Sequence, residues 1–285
     1  MKIRCSILLL TLFLVSGGIA CGQQLERMDS SDPYKLQSFN FDYIRDQKIK
    51  KITIQGATKS PGKVISYKRA ITTLYFNKNG QLERSVKIIN RSNGTKDTSL
   101  IKYFYEEDRL VKKETTEPGG NSILYISYTG HSREEKLLRQ EFQGGRYIQE
   151  GSTVYESSHP EPHAVLIRER KDGQLISSTT EYSDAEDRVI SQEKIQQPNL
   201  YKTSTHWNYE FGKLVDMTVS EGKNTHKYEV SYGKNSIIRR IQHNFNGKIE
   251  ESMEYFYFNG NIESTLLADP NSSDLEITNY SYEFY

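Results

Sequence analysis

Cysteine is almost absent from this chain: among 285 residues only Cys5 and Cys21 occur. Cys5 falls inside an N-terminal leader, so Cys21 is the single cysteine expected after processing, and no intramolecular disulfide can staple the fold. Net charge is also missing, with 38 Lys and Arg against 37 Asp and Glu. That balance leaves no net field to attract nucleic acid or an anionic membrane face. Beyond the leader no apolar run is long enough to cross a bilayer as a helix. Catalytic signatures are lacking too: neither G-x-S-x-G, nor G-x-x-x-x-G-K-[ST], nor H-E-x-x-H is found,. Proline is sparse, and Pro118, Pro160, Pro162, Pro198 and Pro270 all fall between alternating runs rather than inside them, as turns punctuating a sheet require.

What is present begins with an export signal. Lys2 and Arg4 precede the apolar stretch Ile7 to Val15, and the small residues Ser16, Gly17, Gly18 and Ala20 lead up to Cys21. This is the layout of a signal peptide over residues 1–20. Gly18-Ile19-Ala20-Cys21 resembles the bacterial lipobox, which departs from it only in preferring an aliphatic residue where Gly18 stands. The resemblance implies cleavage before Cys21, a lipid on that cysteine and a tether to the envelope. Ordinary cleavage after Ala20 would instead give a soluble secreted or periplasmic protein. Residues 21–38 are polar and read as a flexible tether.

From residue 39 to 285 the chain reads as all-β. Mean hydropathy is low, at −0.72, yet there are 20 Tyr and 11 Phe, a mixture suited to strands with one wet and one covered face. A short unit recurs, of an aromatic, two variable residues, a turn former, a polar residue and an aliphatic. It is seen as YEEDRL (Tyr105 to Leu110), YEFGKL (Tyr209 to Leu214), YGKNSI (Tyr232 to Ile237) and YFNGNI (Tyr257 to Ile262),. Asn79-Gly80, Asn93-Gly94, Asp172-Gly173, Asn246-Gly247 and Asn259-Gly260 are dipeptides that accept the positive φ of type I′ hairpin turns. Leu82, Arg84, Val86 and Ile88 alternate with Glu83, Ser85 and Lys87, as in a half-covered strand. Ser132-Arg133-Glu134-Glu135 could open a short helix as a capping box, but Leu137 falls on the hairpin period and favours a strand.

LYFNKNGQL (Leu74 to Leu82) and EYFYFNGNI (Glu254 to Ile262) resemble the YD-repeat, or Rhs, pattern of degenerate envelope lipoproteins. The resemblance implies repeated antiparallel hairpins forming an extended, curved or spiralling sheet, with no chemistry shared across the family. An outer-membrane barrel is disfavoured, because charges such as Arg84, Lys87, Arg91, Arg239 and Arg240 appear on both faces of strands, and a lipid-facing charge near midplane costs about 2 to 4 kcal/mol.

Candidate site residues are few. His159-Pro-Glu-Pro-His163 has metal-ligand residue types, but its prolines forbid the helix that would bring two His together, so neither a metal nor a cofactor is expected. His131, His206, His226 and His243 are scattered along the sequence. Tyr201, Trp207 and Tyr209 share one alternating face and form the candidate ligand-binding aromatics. The expectation is a non-catalytic envelope lipoprotein, held on the outer membrane by Cys21, that binds or scaffolds another envelope protein through strand edges. The alternative is a surface protein that stacks a glycan on those aromatics.

Overall fold

The computed structural model describes residues 41–140, 146–233 and 237–285. The signal peptide, Cys21 and the 21–38 tether lie outside the described residues. A helix that the hairpin pattern does not foresee, α1 (Phe41–Asp46), comes first among the described residues. Eighteen strands follow among the described residues. The first six are β1 (Ile49–Lys59), β2 (Ser66–Phe76), β3 (Leu82–Asn90), β4 (Lys96–Glu106), β5 (Arg109–Glu117) and β6 (Gly120–Thr129). Next come β7 (Ser132–Gln140), β8 (Tyr147–Ser158), β9 (Ala164–Lys171), β10 (Gln174–Ser183), β11 (Val189–Gln196) and β12 (Tyr201–Glu210). The last six are β13 (Lys213–Glu221), β14 (Asn224–Tyr232), β15 (Ile238–Phe245), β16 (Lys248–Phe258), β17 (Asn261–Ala268) and β18 (Leu275–Phe284). The Ser132 segment is thus strand β7, as the hairpin period indicates.

Each strand pairs antiparallel with its chain neighbours, and β1 pairs with both β2 and β18. Ile52 lies opposite Tyr282 on one side and Leu74 on the other. The hairpins therefore close into a ring, which corrects the expectation of an extended or spiralling sheet and, with it, the YD/Rhs resemblance. Alternation and turn chemistry are local, and they are the same in an open ribbon and a closed one. Closure depends on contacts such as Lys51 to Glu283, 232 residues apart, which no local pattern reports. Closing the ring also removes the two unpaired edges that an open sheet would expose.

The pairing register carries one face around the wall: Trp207 opposes Met217, Met217 opposes Tyr228, Tyr228 opposes His243, and His243 opposes Glu251. This face holds the buried side chains and is the interior. The opposite face is charged, with ion pairs Lys112–Glu114, Lys136–Glu134, Arg170–Glu156, Lys202–Glu193 and Lys227–Glu229. Exposed pairs of this kind stabilise little, but they mark a wall that faces water. A barrel has formed, and the charge argument applies to its outside: what those side chains oppose is a lipid-facing wall.

Three of the expected turns take positive φ at both central residues, at Asp172-Gly173, Asn246-Gly247 and Asn259-Gly260. At Asn79-Gly80 and Asn93-Gly94 only the glycine does. Phe211-Gly212 adds a turn of the first kind that its sequence hides, since Phe211 sits at φ 50° without the small polar side chain that usually tolerates it.

Candidate functional site: the barrel interior

The repeat unit becomes intelligible at the barrel end where α1 sits. In six hairpins the register slips just before the turn, at β2–β3, β4–β5, β10–β11, β12–β13, β14–β15 and β16–β17. Tyr105 then opposes Leu110, Tyr209 opposes Leu214, and Tyr257 opposes Ile262. Bulges of this kind sharpen strand twist and help the sheet to curl.

The tyrosines brace the same corners. Tyr128, Tyr209, Tyr232 and Tyr282 donate to the carbonyl oxygens of Leu110, Val189, Leu214 and Ile262, each on the preceding strand. The residue before that aliphatic is often a cation that lies over the ring: Arg109 on Tyr128, Arg188 on Tyr209, Lys213 on Tyr232,. Helix α1 packs at this end, with Ile44 fully buried and the Tyr43 hydroxyl donating to Gly260 O and Asn261 Oδ1. Burial pushes the Tyr43 and Tyr232 phenols up to about 12, and raises Tyr105, Tyr257 and Tyr282 further, because desolvation penalises the phenolate.

The interior has two arcs of different character. From β11 to β17 the inner side chains pack on one another in a single cluster that includes Trp207, Leu214, Met217, Val230, Ile238 and Ile241. A second cluster joins Ile44, Ile49, Ile52 and Phe76 at the helix end. From β3 to β9 the inner wall is only partly covered. One row across it runs Tyr103, Lys113, Leu124, Leu137, Gly151, and the next runs Ser85, Ile101, Thr115, Ser122. Each of these residues is half-buried, while Lys87 and Ile89 on the same face are exposed. Aliphatic side chains here alternate with hydroxyls and two ammonium groups, a surface that suits an amphiphile.

Two polar clusters interrupt the inner wall. In the first, His226 Nδ1 and His243 Nε2 share a hydrogen bond of 3.0 Å, Tyr228 stacks on His243 at 4.5 Å, and Glu250 Oε2 lies 3.8 Å from His243 Nδ1. Burial, then the neighbouring His226, lowers the His243 pKa, against the opposing pull of Glu250 and Glu251. In the second, Arg133 pairs with Glu135, its guanidinium lies 4.9 Å over Tyr155, and its Nε has no hydrogen-bond partner among the described residues. Burial lowers its pKa. Arg133 opposes Tyr128, the corner position that Leu110 and Leu214 fill elsewhere.

The sequence candidates are distributed as follows. Tyr201, Trp207 and Tyr209 do share one face, the inner one. Trp207 is only 4% exposed and belongs to the packed arc; Tyr209 is tied to Val189 O; Tyr201 alone offers an exposed ring, at the end opposite α1. His159 to His163 lies in the β8–β9 connection, where His163 takes φ 62°. Among the described residues no group of three or more His, Cys, Asp or Glu is placed to hold a metal ion. The His226–His243 pair was not singled out by the sequence reading. Folding β14 against β15 about the intervening turn, which pairs His226 with Phe245 and Tyr228 with His243, would have shown it.

No family model matches the sequence, and no curated protein is significantly similar to it. Among solved structures, the chain is similar to a porin-like protein from Bacteroides vulgatus, with 10% identity, 80% of this chain and 97% of that chain covered, and a TM-score of 0.37. A porin-like protein from Bacteroides uniformis gives 11% identity, 83% and 97% coverage and a TM-score of 0.29. A LolA superfamily protein from Nitrosomonas europaea gives 11% identity, 86% and 90% coverage and a TM-score of 0.27. Scores at this level assign neither a family nor an activity.

Proposed function

We propose that this chain is an exported, non-catalytic binding barrel that holds an amphiphilic molecule against its β3–β9 inner wall, and that a lipid on Cys21 keeps it at the bacterial envelope. The observation that carries this reading is the half-covered row Tyr103, Lys113, Leu124, Leu137 inside a ring whose outer wall is charged. Leu124 and Leu137 would receive an apolar chain, and burial of each aliphatic contact favours the complex. Lys113, or Lys87 further along the same face, would meet an anionic head group.

The scaffolding role first expected relied on free strand edges, which the closed ring does not offer. Sugar stacking on Trp207 is not carried forward either, since that ring is covered. Export rests on the leader sequence, and the absence of nucleic-acid partners on the charge balance.

Displacement of a fluorescent fatty acid tests the reading. The chain should bind the probe, and Leu124→Asp or Lys113→Glu should each weaken binding, with melting temperature checked for both. Absence of probe binding by a folded barrel, together with no amphiphile in the organic extract of the purified protein, would defeat it.

A further inference from the structure

The barrel ends differ in what their turns display. At the end opposite α1, exposed apolar residues sit on four connections: Val64, Ile65 and Tyr67 on β1–β2, Tyr147 and Ile148 on β7–β8, Leu200 and Tyr201 on β11–β12, and Ile249 on β15–β16. Going around the ring, these connections are separated by six, four, four and four strands. Val64 is 87% exposed and Leu200 is 65% exposed. Single exposed aliphatics are ordinary, but an even ring of them around one rim is not explained by folding. At the helix end the most exposed phenylalanines, Phe211, Phe258 and Phe284, fall in the arc from β12 to β18, while Phe104, Tyr182 and Ile190 are exposed to a lesser degree on β4, β10 and β11.

Charge separates the ends as well. Lys59, Lys63, Lys68 and Arg69 surround the β1–β2 tip, with no acidic residue between them. Arg91, Lys96, Lys171, Lys202, Lys223 and Lys248 continue the basic character around this rim. Acidic residues there are Asp97, Glu117, Asp172, Glu221, Asp269, Asp274 and Glu276, fewer than the basic ones, and of these Asp97 is already paired with Arg91 and Glu276 with Lys68. The helix-end turns instead carry Glu107, Asp108, Glu161, Asp184, Glu186 and Asp187 against Lys78 and Arg188, the latter paired with Asp184 and Glu186.

We propose that the rim opposite α1 docks on an anionic bilayer surface. Apolar contacts spread right around a ring can all be satisfied together only by a flat partner, and basic residues interleaved with them select one that is negative. Val64 and Ile65 at the β1–β2 tip and Leu200 at the β11–β12 tip enter the interface, while the lysines remain at head-group level. An anchor at Cys21 permits this pose. The twenty residues 21–40, if extended, reach up to about 70 Å, about twice the roughly 33 Å length of a ten-residue strand. The inference goes beyond the proposed function, and its test changes none of the residues that reading invokes, Lys87, Lys113, Leu124 and Leu137.

Vesicle flotation tests it, using the full chain carrying Cys21→Ser and processed by the expressing host, so that no acyl chain contributes. The protein should float with phosphatidylglycerol vesicles at low salt and stay behind with phosphatidylcholine vesicles. Val64→Asp combined with Ile65→Asp should reduce partitioning by roughly tenfold or more, and Leu200→Asp should act in the same direction. Phe258→Asp at the helix end should leave it unchanged. Val64→Trp should give a blue-shifted emission with anionic vesicles. All four positions are exposed, so an unchanged melting temperature certifies the variants. Equal flotation on both vesicle types, no flotation, or a loss on Phe258→Asp but not on Val64→Asp/Ile65→Asp would overturn the proposal. Fatty-acid probe binding retained without flotation would refute the rim alone and leave the inner-wall reading standing. Rim-dependent capture of an envelope protein in the absence of vesicle binding would likewise count against the bilayer.

Discussion

The Tyr232 hydroxyl donates a 2.8 Å hydrogen bond to the carbonyl oxygen of Leu214, on the neighbouring strand and 18 residues earlier. Tyr128 and Leu110 repeat the relationship at 3.1 Å, and Tyr282 and Ile262 at 2.8 Å. Tyr232→Phe keeps the ring and its packing but leaves that partly buried carbonyl without its donor. The expected cost is about 1 kcal/mol, to be read by urea denaturation, and pairing the change with Tyr128→Phe should be additive because the two corners are far apart in the ring.

The same tyrosines set an alkaline limit. A phenol in the unfolded chain titrates near ~10, whereas Tyr43 and Tyr232 are pushed up to about 12 and Tyr257 and Tyr282 are raised further. Folding favours the neutral phenol, so this stabilisation is complete below the unfolded value and is lost as pH rises through the folded ones. Absorbance at alkaline pH should show a late-titrating class of tyrosines. That class should disappear when the barrel is unfolded in denaturant.

His243 acts at the other end of the scale. Its folded pKa is lowered, by burial first and by His226 second, so its contribution to stability is present above the unfolded value of about 6.5 and is lost as pH falls through the folded one. Histidine proton NMR should show one ring titrating below the others. His243→Gln should flatten the fall in melting temperature on the acid side of neutrality.

Phe211 is fully exposed and sits at φ 50° in the Phe211-Gly212 turn. Phe211→Asn restores a residue suited to the left-handed region without disturbing any packing. Stability should rise by about 0.5 to 1 kcal/mol, measurable as an increased melting temperature.

Strand identity, turn positions and the repeat period were all legible in the sequence, because each is a property of neighbouring residues. YFNGNI marks a bulged hairpin wherever it stands. Closure was not legible: Ile52 meets Tyr282 only because β18 returns to β1, and nothing in either segment names the other. That Tyr201, Trp207 and Tyr209 share a face followed from alternation, while the inward turn of that face and the covering of Trp207 depend on Met217 and other residues of strands that come later. The His226–His243 contact lay between these cases, hidden by seventeen residues of separation but recoverable from hairpin pairing. Arg133 gave no signal, since its oddity is visible only beside the aliphatics that occupy its place in the other corners.

Deleting β18 by ending the chain after Ala268 should leave β1 and β17 with unpaired edges. Such a chain is expected to aggregate on size-exclusion chromatography while keeping the far-ultraviolet signal of its hairpins.

The seam between β1 and β18 also orders events in time. Every other pairing joins strands made one after the other, so hairpins can form as the chain emerges. This one must wait for Tyr282 and its neighbours, which follow β1 by more than two hundred residues. Until then the growing sheet carries a sticky border at each side, and the interval before sealing is when this protein most needs protection from its own kind.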